Sequence, residues 1–216
     1  MNLSFKLESE LVDNFLLLYS KHDCERIVVE SPIRFGNIDI VSIKNYSLPF
    51  NDEQVKVLSK PSAALVYTKI KNKRPVSATT LKKEVGLSKS TFEHTLCSLK
   101  NTGLIKINKK GFFLRKEEFN LPKVVVTGYE AKLRDFNKAF YQAKSNKEFV
   151  DYSYLVFPLE IARKLLKKRL LMTTNGIGLI GVSKSKKITL LKARQSKEIK
   201  NYVRLLNIVK TDVISE

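Results

Sequence analysis

The stretch VVVTGYEAKLRDFNKAFYQAK, Val124 to Lys144, places a carboxylate and an ammonium two residues apart, Glu130 and Lys132, at the end of an apolar run. Residues two apart on a strand lie on one side, roughly 6.5–7 Å from each other. Glu130 and Lys132 therefore project together, while Tyr129, Ala131 and Leu133 face the other way. The ordinary use of such a pair is a cross-strand salt bridge or a solvated face. Asp39 bears on the choice, because it stands alone in the apolar run NIDIVSI. A lone carboxylate there is costly to bury unless it has a partner or a metal. Gln142 adds a polar group on the segment that follows Glu130 directly. The chemistry open to these residues is an ion pair or a metal site.

Several elements must position them. Leu11, Phe15, Leu18 and Tyr19 fall at helical spacing between Glu8 and Tyr19. RIVVES and NIDIVSIK read as a hairpin turned by PIRFG, and NYSLPFNDEQ reads as a linker. A helix is expected over 61–71, ended before Pro75. SATTLKKEVG reads as a short helix closed by a left-handed Gly86. LSKSTFEHTLCSLKNTG reads as a longer helix, capped by Ser88, with Phe92, Leu96 and Leu99 on its apolar face. LIKIN and FFLRK follow as strands around KKG. The last third alternates: strand KVVVTGYEAKL, a helix capped by Asp135, strand YSYLVFP, helix LEIARKLLKKRLLM, the strands GIGLIGVS and KKITLLKA, and a closing helix SKEIKNYVRLLNIV. This order implies a sheet with helices on its faces, an α/β (α+β) class.

The chain has 216 residues, 43% of them hydrophobic, enough for a real core. Forty Lys and Arg against 21 Asp and Glu leave a formal charge of +19. A balance this basic favours a polyanion, and nucleic acid first, because lysines and arginines on phosphates release counterions. A membrane is not expected as partner: there is no Trp, no basic amphipathic helix with an aromatic anchor, and no apolar run near the roughly 20 residues of a span. Two cysteines, Cys24 and Cys97, are too few for a disulfide framework and fit a reducing compartment. With no signal-peptide pattern at the start, a cytoplasmic location is expected. No Walker A run and no strand-borne G-x-G-x-x-G occur. Two histidines and two distant cysteines make a zinc site an unfavoured reading.

The middle block, three helices and a two-stranded wing with the pattern L..E.GLS.STF...L..L...GLI, resembles winged helix–turn–helix DNA-binding modules. The resemblance implies a third helix in the major groove and a wing on the backbone or minor groove. Lys89, Ser90, Thr91 and His94 would project from the start of that helix, and Lys109 and Lys110 from the wing tip. A winged helix that binds protein or merely packs is the competing reading. Arg163 and Lys164, in ARKLLKKRLLM, belong either to a solvated helix side or to a DNA track.

Asp39, the Glu130-x-Lys132 strand, the Gln142 helix, the DYSY strand and the GIGLIGV strand together resemble the PD-(D/E)XK phosphodiesterase superfamily, the restriction-endonuclease-like fold, over about 1–45 and 120–200. That resemblance implies a mixed sheet flanked by helices, here interrupted by the winged-helix insertion: residues 1–48 and 120–216 form the nuclease-like domain and 49–119 the insertion. A loop can host such an insertion because lengthening it adds little closure cost. It also implies a metal-dependent DNA endonuclease. Asp39, Glu130 and the Ala131 carbonyl would ligate Mg²⁺ or Mn²⁺. Lys132 would hold the attacking water and offset developing charge. A first-helix acid, Glu10 or Glu8, would bind a second ion or orient a water, and Gln142 would orient the nucleophile or contact the backbone. Double-stranded DNA is the implied substrate, and a homodimer or larger assembly the implied state. The alternatives are a non-cleaving DNA-binding regulator or adaptor, and, less favoured, an RNA-directed protein.

Overall fold

The computed structural model describes residues 5–19, 25–33, 36–116, 119, 123–197 and 199–214. In chain order the first elements are α1 (Glu8–Leu17), β1 (Arg26–Ile33), β2 (Gly36–Lys44), α2 (Asp52–Leu58) and α3 (Pro61–Lys69). Next come α4 (Ala78–Val85), α5 (Lys89–Asn101), β3 (Ile105–Ile107), β4 (Phe113–Arg115), β5 (Val125–Ala131) and α6 (Phe136–Asn146). The chain continues with β6 (Tyr152–Pro158), α7 (Leu159–Leu165), α8 (Arg169–Thr174), β7 (Gly178–Val182), β8 (Lys187–Leu191) and α9 (Asn201–Ile214). They divide into two compact units: residues 1–46 with 124–199, and residues 47–123 with 200–216.

The first unit is built on a six-stranded mixed sheet in the order β1-β2-β5-β6-β7-β8. β1, β2 and β5 are antiparallel neighbours, β5, β6 and β7 run parallel, and β8 returns antiparallel to β7. The parallel strands need crossovers, and α6 and α7–α8 supply them. Alternation then splits the core into two layers. Tyr129, Ala131, Val156 and Ile180 face α1, packing on Leu11 and Phe15. Leu155, Phe157 and Leu179 pack on Phe136 and Ala139 of α6 and on Ala162 and Met172 of the α7–α8 segment. β1 and β2 run further into the hairpin than PIRFG implied: Pro32 pairs with Asn37 and Ile33 with Gly36, so any turn residues proper lie outside the described residues. The helix expected over LEIARKLLKKRLLM is interrupted by a 3₁₀ turn at Leu166–Lys168.

The second unit carries helices α3, α4 and α5 followed by the β3–β4 pair. Ser77 caps α4 through Thr80 N, and Gly86 ends it at φ 63°, the left-handed conformation that glycine adopts without Cβ strain. Ser88 caps α5. In the turn between β3 and β4, Asn108 Oδ1 accepts from the Lys110 and Phe112 amides at 3.0 and 2.9 Å, and Gly111 has φ 79°. Two features depart from the sequence reading. The linker NYSLPFNDEQ ends in α2, because Asn51 and Gln54 form a reciprocal capping box, with bonds of 3.0 and 3.1 Å. The closing helix α9 does not belong with residues 120–199, as the expected boundary 120–216 had it. Its Leu205 and Val209 are buried in the core made by Leu58, Val66, Tyr67, Leu81 and Leu99.

Candidate functional site

The site lies where β2 and β5 end their pairing. The last paired residues are Ile40 and Tyr129, so Asp39 and Glu130 come next along their strands. The Ala131 amide, with no further β2 partner, donates to Asp39 Oδ2 at 2.8 Å, across 92 positions of sequence. On the other edge of β5, the Lys132 amide donates to Val156 O at 3.0 Å, which ties the residue to β6. The Lys132 side chain is buried, and its Nζ donates to Asp39 Oδ2 at 3.2 Å and to the Ala131 carbonyl at 2.9 Å. It also pairs with Glu8 Oε2 at 3.3 Å. Asp39 and Glu8 keep 27% and 50% of their side-chain surface exposed, so the cluster opens to solvent on their side.

Glu130 faces inward and is wholly buried. Its Oε1 accepts from Asn146 Nδ2 of α6 at 2.6 Å, whereas Oε2 has no hydrogen-bond partner. Burial first, and then the negative charge of Asp39, push its carboxyl up to about 7, while the Asn146 amide and Lys132 pull it down. For Lys132, burial lowers the ammonium's pKa, but the charges of Asp39 and Glu8 outweigh it and the net shift is upward. Three carboxylates around one ammonium make the cluster rich in negative charge.

Asp39, Glu130, Ala131 and Lys132 are thus brought together. Glu10 is not: its Oε2 accepts from the Lys6 amide at 2.7 Å in an exposed position, and Glu8 is the first-helix acid at the site. The two stand about 200° apart around the helix, so only one of them can face Lys132. Gln142 lies one turn before Asn146 on α6, on the same face, and its Oε1 is buried without a partner. Asn146 is the residue that sequence reasoning missed. Its four-residue offset from Gln142 was the available signal.

In the second unit, Lys89, Ser90, Thr91 and His94 are exposed on the first turns of α5. Thr91 is engaged in the cap, taking a bond from Ser88 Oγ at 2.8 Å, and Glu93 interrupts this surface with a negative charge. Lys109 and Lys110 are exposed between β3 and β4.

Whether the first unit's donors suit a metal can be judged from their type and satisfaction. Carboxylate and carbonyl oxygens match hard divalent cations. A buried carboxylate oxygen without a partner is uncommon, and Glu130 Oε2 is one. Among the described residues, no three His, Cys, Asp or Glu side chains gather into a group able to ligate one ion. A cation here would therefore rest on two carboxylates, a carbonyl and water, a donor set that fits Mg²⁺ or Mn²⁺ better than zinc.

Fold and site together define a mixed α/β protein with a buried acid–amine cluster at the end of a six-stranded sheet. No family model, no curated protein and no solved structure matches the chain. Among the described residues no helix is long and apolar enough to cross a membrane.

Proposed function

We propose that the chain is a metal-dependent DNA endonuclease of the PD-(D/E)XK, restriction-endonuclease-like type, with residues from α3 to β4 acting as a winged-helix DNA-binding module. The observation that carries this reading is the convergence of Asp39 with Glu130-x-Lys132 from remote parts of the chain, together with the unpartnered Glu130 Oε2. Asp39, Glu130 and the Ala131 carbonyl would hold Mg²⁺ or Mn²⁺. Such an ion supplies a bound water of lowered pKa and neutralises charge on the scissile phosphate. Asn146 fixes the Glu130 carboxylate by its 2.6 Å bond, leaving the other oxygen available. Lys132, fixed between Asp39 and Glu8, would swing its ammonium toward the phosphate as negative charge develops there. Gln142 offers an unpaired amide oxygen for a water or the backbone. The net charge of +19 supports a nucleic-acid substrate.

One observation favours a second reading, a DNA-binding regulator or adaptor that does not cut. Lys132 already pairs with both Asp39 and Glu8, so the cluster can serve as a structural ion network. Cleavage of supercoiled plasmid with Mg²⁺ or Mn²⁺ separates the two. The nuclease reading expects nicking or linearisation by the wild type and a drop on the order of a hundred- to a thousandfold for Asp39→Ala and Lys132→Ala. Retained DNA binding with no metal-dependent cleavage by the wild type would leave the regulator.

A further inference from the structure

The sheet of the first unit carries a second feature, on the face opposite Glu130. α1 covers only part of that face, through Leu11 and Phe15. Beside it lies a cavity of about 390 Å³ whose lining, along with two aliphatic side chains and two threonines, includes Tyr19, Tyr129, Tyr152, Tyr154, Lys44 and Lys187. Sites for small ligands begin at about 300 Å³. Four tyrosines and two lysines are not an apolar remnant of incomplete packing. They pair π-faces with positive charge.

The floor is rigid. Tyr129 and Tyr154 are register partners on β5 and β6, and their rings stack with centroids 5.7 Å apart and planes at 23°. Tyr19 OH donates to Glu25 Oε1 at 2.7 Å and lies 3.2 Å from Ser42 Oγ and 3.3 Å from Tyr129 OH, so the hydroxyls at the base are committed to one another. Tyr152, one residue pair further along the same face, is half-buried. Lys187 Nζ lies 4.1 Å from the centroid of Tyr19 and 5.1 Å from that of Phe15. Burial holds the Lys187 ammonium below its ordinary value. Glu25 opposes that shift, and repulsion from Lys44 adds to it. Two lysines that repel each other across an aromatic cavity are relieved by an anion placed between them.

We propose that this cavity binds one unstacked nucleotide of a single-stranded nucleic acid, its base against the Tyr152 and Tyr154 rings and its phosphate at Lys44 and Lys187. Aromatic faces take bases without regard to sequence, and lysines follow the backbone. A paired base cannot enter such a site without leaving its stack, so the ligand is an unpaired strand or a frayed end rather than intact duplex. The proposal takes the ligand's class from the nucleic-acid reading above but does not depend on cleavage.

Fluorescence anisotropy with a short labelled oligothymidylate, and with a duplex of the same length, tests it on the full chain. Tyr152→Ala is expected to weaken single-strand binding on the order of tenfold, with Tyr152→Phe within twofold of wild type. Lys44→Ala is expected to weaken it and to reduce the salt slope by about 0.7. Duplex affinity stays unchanged in all three, and far-ultraviolet circular dichroism checks that each variant is folded. The titrations are run in EDTA, where no metal-dependent cleavage takes place, so a failed nuclease reading and a failed cavity are told apart. Wild-type single-strand affinity in both Tyr152→Ala and Lys44→Ala, or equal losses for single strand and duplex, would overturn the proposal.

Discussion

The two units of this protein bury charge in different settings. In the second unit Asn51, Ser77 and Ser88 cap their own helices, Lys89, Lys109 and Lys110 stay in water, and the buried Arg115 lies against an aromatic ring at the edge of the core. In the first unit an acid and an amine are buried at the end of a strand, and their partners come from α1, β2 and α6. The first arrangement uses short-range turn and cap chemistry and sets a buried cation, Arg115, over the Tyr67 ring with its Nε lacking a hydrogen bond. The second leaves Glu130 Oε2 and Gln142 Oε1 unpartnered. Buried polar groups without partners cost stability, and here two of them lie on one strand and the helix packed on it, beside a buried ammonium. The contrast teaches where to look for chemistry: not where charge is most abundant, but where opposite charges are buried together and incompletely paired.

The contrast can be tested through stability, beginning with the largest expected effect. Leu99 is fully buried in the second unit's core, and Leu99→Ala is expected to destabilise that unit by about 3 kcal/mol in urea unfolding, as a cavity left in a well-packed core does. A loss under about 1 kcal/mol would mean that this core is not the continuous apolar cluster described.

A smaller effect is expected in the first unit, and it depends on pH. The Glu130 carboxyl titrates at about 7 in the folded chain against an ordinary 4.5. An acid whose folded pKa is raised contributes stability that is fully present below the unfolded value and is lost as pH rises through the folded value. The metal-free wild type is therefore expected to be less stable at pH 8 than at pH 5, by about 2 kcal/mol. In Glu130→Gln, which keeps an acceptor for Asn146 but cannot ionise, that decline is expected to disappear. Parallel pH profiles for the two proteins would show that Glu130 is not held in the environment described.

The smallest effect concerns the turn between α4 and α5. Gly86 has open space where a Cβ would go, so Gly86→Ala meets only the backbone cost of φ 63°, about 1 kcal/mol. Thermal melting measures it. An unchanged or raised midpoint would remove the left-handed glycine from the account.

The same contrast explains what could be read from the residues alone. Caps and turns are local, so Gly86, Ser88 and the KKG turn were legible, and so was the strand alternation that turns Tyr129 and Ala131 to one core layer; Lys132 lies past the end of β5 and pairs with Glu8 of α1, while Glu130 bonds to α6. The capping box that starts α2 was equally local and was overlooked. Other features depend on docking. Glu8 and Glu10 have the same residue type and nearly the same position, and only the orientation of α1 against the sheet decides between them. Asn146 becomes a partner of Glu130 only once α6 lies on β5. An amphipathic helix such as α9 declares an apolar face but not which core will receive it, and Leu205 and Val209 are buried in the second unit. The tyrosine cavity exists because α1 covers only part of one sheet face, and no sequence pattern states the extent of that cover.

The central claim is that Asp39 and Glu130, carried by different strands, share one divalent cation. Isothermal titration of the metal-free protein with Mn²⁺ tests it most directly. The account predicts saturable binding by the wild type that is lost in Asp39→Asn and in Glu130→Gln and retained in Glu10→Gln. No saturable binding by the wild type, or equal binding by all four proteins, would contradict it.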